Sequence, residues 1–80
     1  MTLSVFMNDL YGRLTFNIQS DSLHVEDIKS AIEREYNTSV AGRLGHMGGV
    51  IRVYNNREEV AHGNIMWWFF GGHSIQLDAS

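Results

Sequence analysis

Apolar residues occupy every second position near both ends of this chain, and every third or fourth position in one stretch between them. That change of period constrains the fold more than any other feature. Period two sends alternate side chains to opposite faces of a strand, whereas spacings of three and four line one side of a helix. Leu3, Val5 and Met7 alternate with Ser4 and Phe6. "NDLYG", residues 8–12, then supplies Asn, Asp and Gly, which accept tight turns. Leu14, Phe16 and Ile18 alternate with Thr15, Asn17 and Gln19, so the N-terminal segment reads as a hairpin of two strands.

The period changes in "SDSLHVEDIKSAIEREYN". Val25, Ile28, Ala31 and Ile32 share one side of a helix, and Glu26, Asp27, Lys29, Glu33 and Arg34 fill the other. Glu26 and Asp27 fall in the first turn, where the helix dipole favours anions. His24 stands where the cap is expected, Ser22 lies further upstream, and Asn37 is a reasonable stop.

Residues 38–49, "TSVAGRLGHMGG", are rich in glycine but lack the Lys-Ser/Thr that closes a phosphate-binding loop, so they read as a crossing loop. "VIRVYNN" (50–56) is a strand with Ile51 and Val53 inward and Arg52 outward. Asn55-Asn56 signals a turn, and "REEVAHGN" gives a short return strand around Val60. Ser74, Ile75, Gln76, Leu77 and Asp78 alternate again, with Ile75 and Leu77 inward. The intervening "NIMWWFF" (64–70) is then an irregular segment rounding the corner of the sheet. Ile65 and one or two aromatics anchor it in the core. Consecutive residues cannot all face one way, so at least one of Trp67, Trp68, Phe69 and Phe70 stays partly exposed. The 80 residues are expected to form one α+β domain, ββαβ(β)β, with one helix packed across a mixed sheet. Its first and last strands are expected to run parallel at the centre.

Composition narrows the function. Hydrophobic residues make up 44% of the chain and charged residues 19%, which suits a globule rather than disorder. With no cysteine there is neither a disulfide nor a thiolate metal cage. The net charge is −3 and the six basic residues are scattered, so no basic stripe for nucleic acid is visible. No apolar run approaches the roughly 20 residues of a membrane helix. No signal peptide is recognisable either, and the cytoplasm or nucleus is the expected setting. His24, His46, His62 and His73 show no i,i+3 or i,i+4 pairing that would place two ligands on one metal, and no Ser, His and acid arrangement is identifiable. Neither catalysis nor a metal or other cofactor is expected.

With these residues the order of elements resembles the ubiquitin-like β-grasp family. Met1, Leu3 and Val5 resemble the start of its first strand, and "DLYGRLTFNI" its first hairpin. "VEDIKSAI" is similar to its helix, "IRVYNNREEV" to its third strand, turn and short fourth strand, and "GGHSIQL" to the approach to its last strand. A conjugated member ends in an exposed diglycine, whereas this chain ends "LDAS". Where ubiquitin presents an outward isoleucine to its readers this chain has Arg52, and Gln76 falls where that patch carries a histidine.

The resemblance therefore implies a non-enzymatic domain that binds a protein partner and is not itself conjugated. The candidate contacts are Arg52, Tyr54 and Gln76 on the outer sheet face and Trp67 and Trp68 at the aromatic corner. A partner strand could also add to the edge near residues 14–18. An acidic partner would meet Arg52 and Arg57. The alternatives are a modifier precursor cleaved after Gly71-Gly72, and a module that self-associates through residues 66–70. No nucleic-acid or membrane partner is expected.

Overall fold

The structure is a computed structural model and describes residues 1–9, 12–35, 49–67 and 73–80. Its elements are β1 (Thr2–Asp9), β2 (Gly12–Gln19), α1 (Val25–Glu35), β3 (Gly49–Asn55), β4 (Glu58–Trp67) and β5 (His73–Ala79). The five strands form one sheet in the order β2-β1-β3-β4-β5, and every neighbouring pair is antiparallel.

Register follows from the alternation. Leu3 faces Ile18, Val5 faces Phe16 and Met7 faces Leu14, so the apolar rows of β1 and β2 share one face. A slip of one residue would turn a whole row to water. Val5 pairs with Val53 and Met7 with Ile51; the row continues through Val53–Ala61 and Ile65–Ile75 to β5. α1 covers this inner face with Ile28, Ala31 and Ile32 and touches both edge strands, β2 and β5. Leu3, Val5, Ile28, Ile32, Ile51, Val53 and Ile75 are at most 1% exposed, which places one core between the two layers. The sheet's opposite face carries no covering element among the described residues.

His24 stands at the cap of α1 as expected, its carbonyl accepting the Ile28 N–H at 3.0 Å, and Ser22 braces it from upstream. The Ser22 hydroxyl accepts the His24 N–H at 3.0 Å and donates to Asp27 Oδ2 at 2.5 Å. Buried Ser20 is satisfied too, since its hydroxyl donates to the Ser22 carbonyl at 2.7 Å.

The α+β class, the N-terminal hairpin and the helix match the expectation from sequence; the mixed sheet does not. β1 is flanked by β2 and β3, and β5 lies at the far edge, so the expected parallel pairing of the first and last strands is absent. The cause is the length of β4. It is not a short strand around Val60 but a ten-residue strand reaching Trp67, which takes in the first part of the supposed irregular segment. Only residues 68–72 then separate β4 from β5. A parallel return needs a crossover of about a dozen residues, whereas a short connection joins antiparallel neighbours. The β3–β4 turn also sits one residue later than expected, at Asn56 and Arg57, with Asn56 at φ 58°. Asn37 and the glycine-rich stretch before Gly49 lie outside the described residues.

Gly63 is the tight point of the sheet. It lies between Ile51 and Leu77 in register, and a Cβ there would overlap the Gln76 carbonyl oxygen and come within 2.9 Å of Leu77 Cα.

Candidate functional site

The open face of the sheet is built from the positions that alternate with the core. Phe6 lies opposite Arg52, Ser4 opposite Tyr54, and Asn8 opposite both Val50 and Arg13. These residues line a groove of about 610 Å³ that continues to Arg57 in the β3–β4 turn. Its floor is apolar. Phe6 and Tyr54 meet edge to face, with ring centroids 5.3 Å apart and planes at 88°, and Phe6 and Val50 are 44% and 45% exposed. Edge-to-face packing of this kind fixes both rings without burying them.

A bulge decides which charges reach this face. Val53 pairs with Ala61 but Tyr54 pairs with Glu59, which leaves Val60 as an extra residue on β4. Strict alternation back from inward Ala61 would turn Glu59 toward the helix. The bulge instead lets Val60 pack against the core and delivers Glu59 to the outer face. There Arg52 Nη1 donates to Glu59 Oε1 at 2.7 Å, and the Ser80 hydroxyl donates to Glu59 Oε2 at 2.9 Å. Those hydrogen bonds, Arg52's first, hold the Glu59 carboxyl below its ordinary range, and the same contact raises the Arg52 guanidinium above its own. Among the described residues, Arg13 and Arg57 form no ion pair.

His62 Nδ1 lies 2.9 Å from Ser80 Oγ, so a serine, a histidine and a glutamate do meet on this face, which sequence reasoning missed. The residues are up to 21 positions apart, and the bulge that joins them leaves no signature in the sequence. The arrangement does not activate the serine. Ser80 has a single hydroxyl proton and gives it to the Glu59 carboxylate, so His62 Nδ1–H must be the donor to Ser80 Oγ. A histidine that donates to a hydroxyl cannot also take its proton, and the carboxylate orients the serine rather than the imidazole. His62 lies in the body of β4 and His73 opens β5. Among the described residues, no three His, Asp or Glu side chains gather as ligands of one metal ion.

No family model, curated protein or solved structure matches this chain. Geometry alone must therefore sort the candidate residues. Arg52 and Tyr54 stand together on β3 and share the groove. Gln76 is exposed on the same face, but β4 separates it from β3 and it lines no part of the groove. Trp67 closes β4, five residues beyond the His62 that faces Arg52, or about 17 Å along the strand. Trp68, residues 68–70 and Gly71-Gly72 lie outside the described residues. Of the expected contacts that the structure describes, Arg52 and Tyr54 thus lie together, while Gln76 and Trp67 lie away from them. β2 is an edge strand with no second neighbour among the described residues, as a strand-addition site at residues 14–18 requires.

Proposed function

We propose that this chain is a non-enzymatic protein-interaction domain that docks its partner on the open face of the sheet. The observation that carries this reading is the groove: half-exposed Phe6 and Val50 with Tyr54 on a sheet face that carries no covering element among the described residues, rimmed by guanidinium groups. Exposed aromatics flanked by arginine are the side chains that contribute most at protein interfaces. The groove lies open along the sheet rather than closed over, which favours a surface contact over enclosure of a small substrate. The proposal rests on this face and not on ubiquitin-like ancestry, since the parallel central pair implied by that resemblance is absent.

Cleavage after Gly72 fits less well. It would remove β5, and with it the buried side chains of Ile75 and Leu77 and the strand paired to β4. The test is retention of proteins from source cells on immobilised wild type, Phe6→Ala, Tyr54→Ser and, on the exposed side of α1 in the other layer, Ser30→Ala. A protein held by wild type and Ser30→Ala but lost from the two groove variants supports docking at this face. Equal retention by all four removes it.

A further inference from the structure

The chemistry of the partner can be taken further, on the reading that the groove is the docking site. Half of the chain's six cations, Arg13, Arg52 and Arg57, line the groove, and among the described residues no carboxylate does. The chain as a whole carries −3, so this local excess of positive charge runs against its overall balance. Arg52 is engaged by Glu59, which leaves Arg13 and Arg57 to meet a ligand.

These two arginines mark opposite ends of the groove. Arg13 lies beside Asn8, which lies beside Val50 at the start of β3; Arg57 follows the end of β3 in the turn. Five strand steps from Val50 to Asn55 span about 17 Å, the reach of an extended peptide of about six residues. Along that length Val50, Phe6 and Tyr54 form the apolar floor.

We propose that the groove binds an extended acidic segment of a partner protein, with its carboxylates on Arg13 and Arg57 and its apolar side chains on Val50, Phe6 and Tyr54. An extended peptide presents side chains alternately to its two sides, so a segment that alternates acidic with apolar residues meets the floor with one row and the rim with the other. Single-stranded nucleic acid is the poorer match. It needs many phosphates neutralised along its path, and among the described residues the groove offers only Arg13 and Arg57 without an ion pair, on a chain of net negative charge.

Fluorescence anisotropy on the full chain tests this. The probes are a labelled peptide alternating Glu with Leu, its counterpart alternating Gln with Leu, and a labelled oligothymidylate of similar length. Each exposed ion pair changes affinity about two- to fivefold, so the glutamate peptide should bind about tenfold tighter than the glutamine peptide at low salt. The gap should narrow in about 0.5 M salt and vanish in the Arg13→Gln, Arg57→Gln double variant, whose far-ultraviolet circular dichroism should match wild type. Phe6→Ala should weaken both peptides. Equal affinity for the two peptides overturns the charge inference, and if both are still weakened by Phe6→Ala, docking at this face survives. Tighter binding of oligothymidylate than of the glutamate peptide, or no binding of that peptide, also overturns the inference. The retention experiment on groove variants stands apart from either result.

Discussion

Replacing Gly63 with alanine should be among the most damaging single-methyl additions in this protein. In an ordinary strand the change from glycine to alanine stabilises by about 0.5–1 kcal/mol, because glycine loses more backbone freedom on folding. Here the added carbon would overlap the Gln76 carbonyl oxygen and sit 2.8 Å from its carbon and 2.9 Å from Leu77 Cα. All three are backbone atoms of β5, so no rotamer change relieves the contact and the strand itself must move. Displacing β5 exposes Ile75 and Leu77, now 1% and 9% exposed, at about 2–3 kcal/mol each. It also weakens β4–β5 ladder hydrogen bonds worth about 1 kcal/mol apiece. Even if local twisting recovers half of this, the loss is about 3 kcal/mol, a large share of the roughly 5 kcal/mol that holds a domain this small. Urea unfolding followed by circular dichroism and tryptophan fluorescence measures it. With a slope of about 1 kcal/mol per M, the midpoint should fall by about 2–3 M or the native baseline should disappear. Gly12→Ala is the control, since a Cβ there meets nothing within 4 Å and should shift stability by no more than about 0.5 kcal/mol. If Gly63→Ala stays within about 1 kcal/mol of wild type, the close approach of β5 is not a constraint on this sheet and the reasoning fails.

Other outcomes follow from the same geometry. A chain ending at Gly72 should show no cooperative thermal transition, because it lacks the strand that buries Ile75 and Leu77; a transition within a few degrees of the full chain would revive the cleaved-precursor alternative. Asn56→Ala should cost about 1 kcal/mol while Asn56→Gly costs almost nothing, since the left-handed φ of 58° penalises a Cβ that lacks the asparagine amide; equal losses in chemical denaturation would refute this. Glu59 should titrate below an ordinary glutamate in carbon-detected NMR, and Arg52→Gln should move its midpoint up; an unchanged midpoint would mean the ion pair does not persist in solution. Because the folded carboxyl is the more acidic, its contribution to stability is present above the unfolded glutamate's value and is lost as pH falls through the lower folded one. Nitrogen-15 shifts should find neutral His62 protonated on Nδ1, and the Nε2 tautomer would break the Arg52–Glu59–Ser80–His62 chain as assigned.

The class of fold and its inner face were legible in the order of residues. Leu3, Val5 and Met7, Leu14 to Ile18, Ile51 and Val53, and Ile75 and Leu77 alternate wherever they sit in a sheet, and Val25 to Ile32 repeat as a helix does. Burial depends on that local period, so Arg52 could be placed on the outer face from sequence alone. The neighbours of each strand could not be read this way. Alternation says which face a residue takes and nothing about which strand lies beside it, so Ile75 and Leu77 suited an edge next to β4 as well as a centre next to β1. The extra residue at Val60 likewise leaves no mark on composition or period. Only the folded sheet carries Glu59 across to Arg52, lines Arg13, Phe6, Tyr54 and Arg57 along one groove, and brings β5 so close to Gly63 that a side chain is excluded. Those contacts join residues far apart in the chain, and their positions are set by how the strands pair.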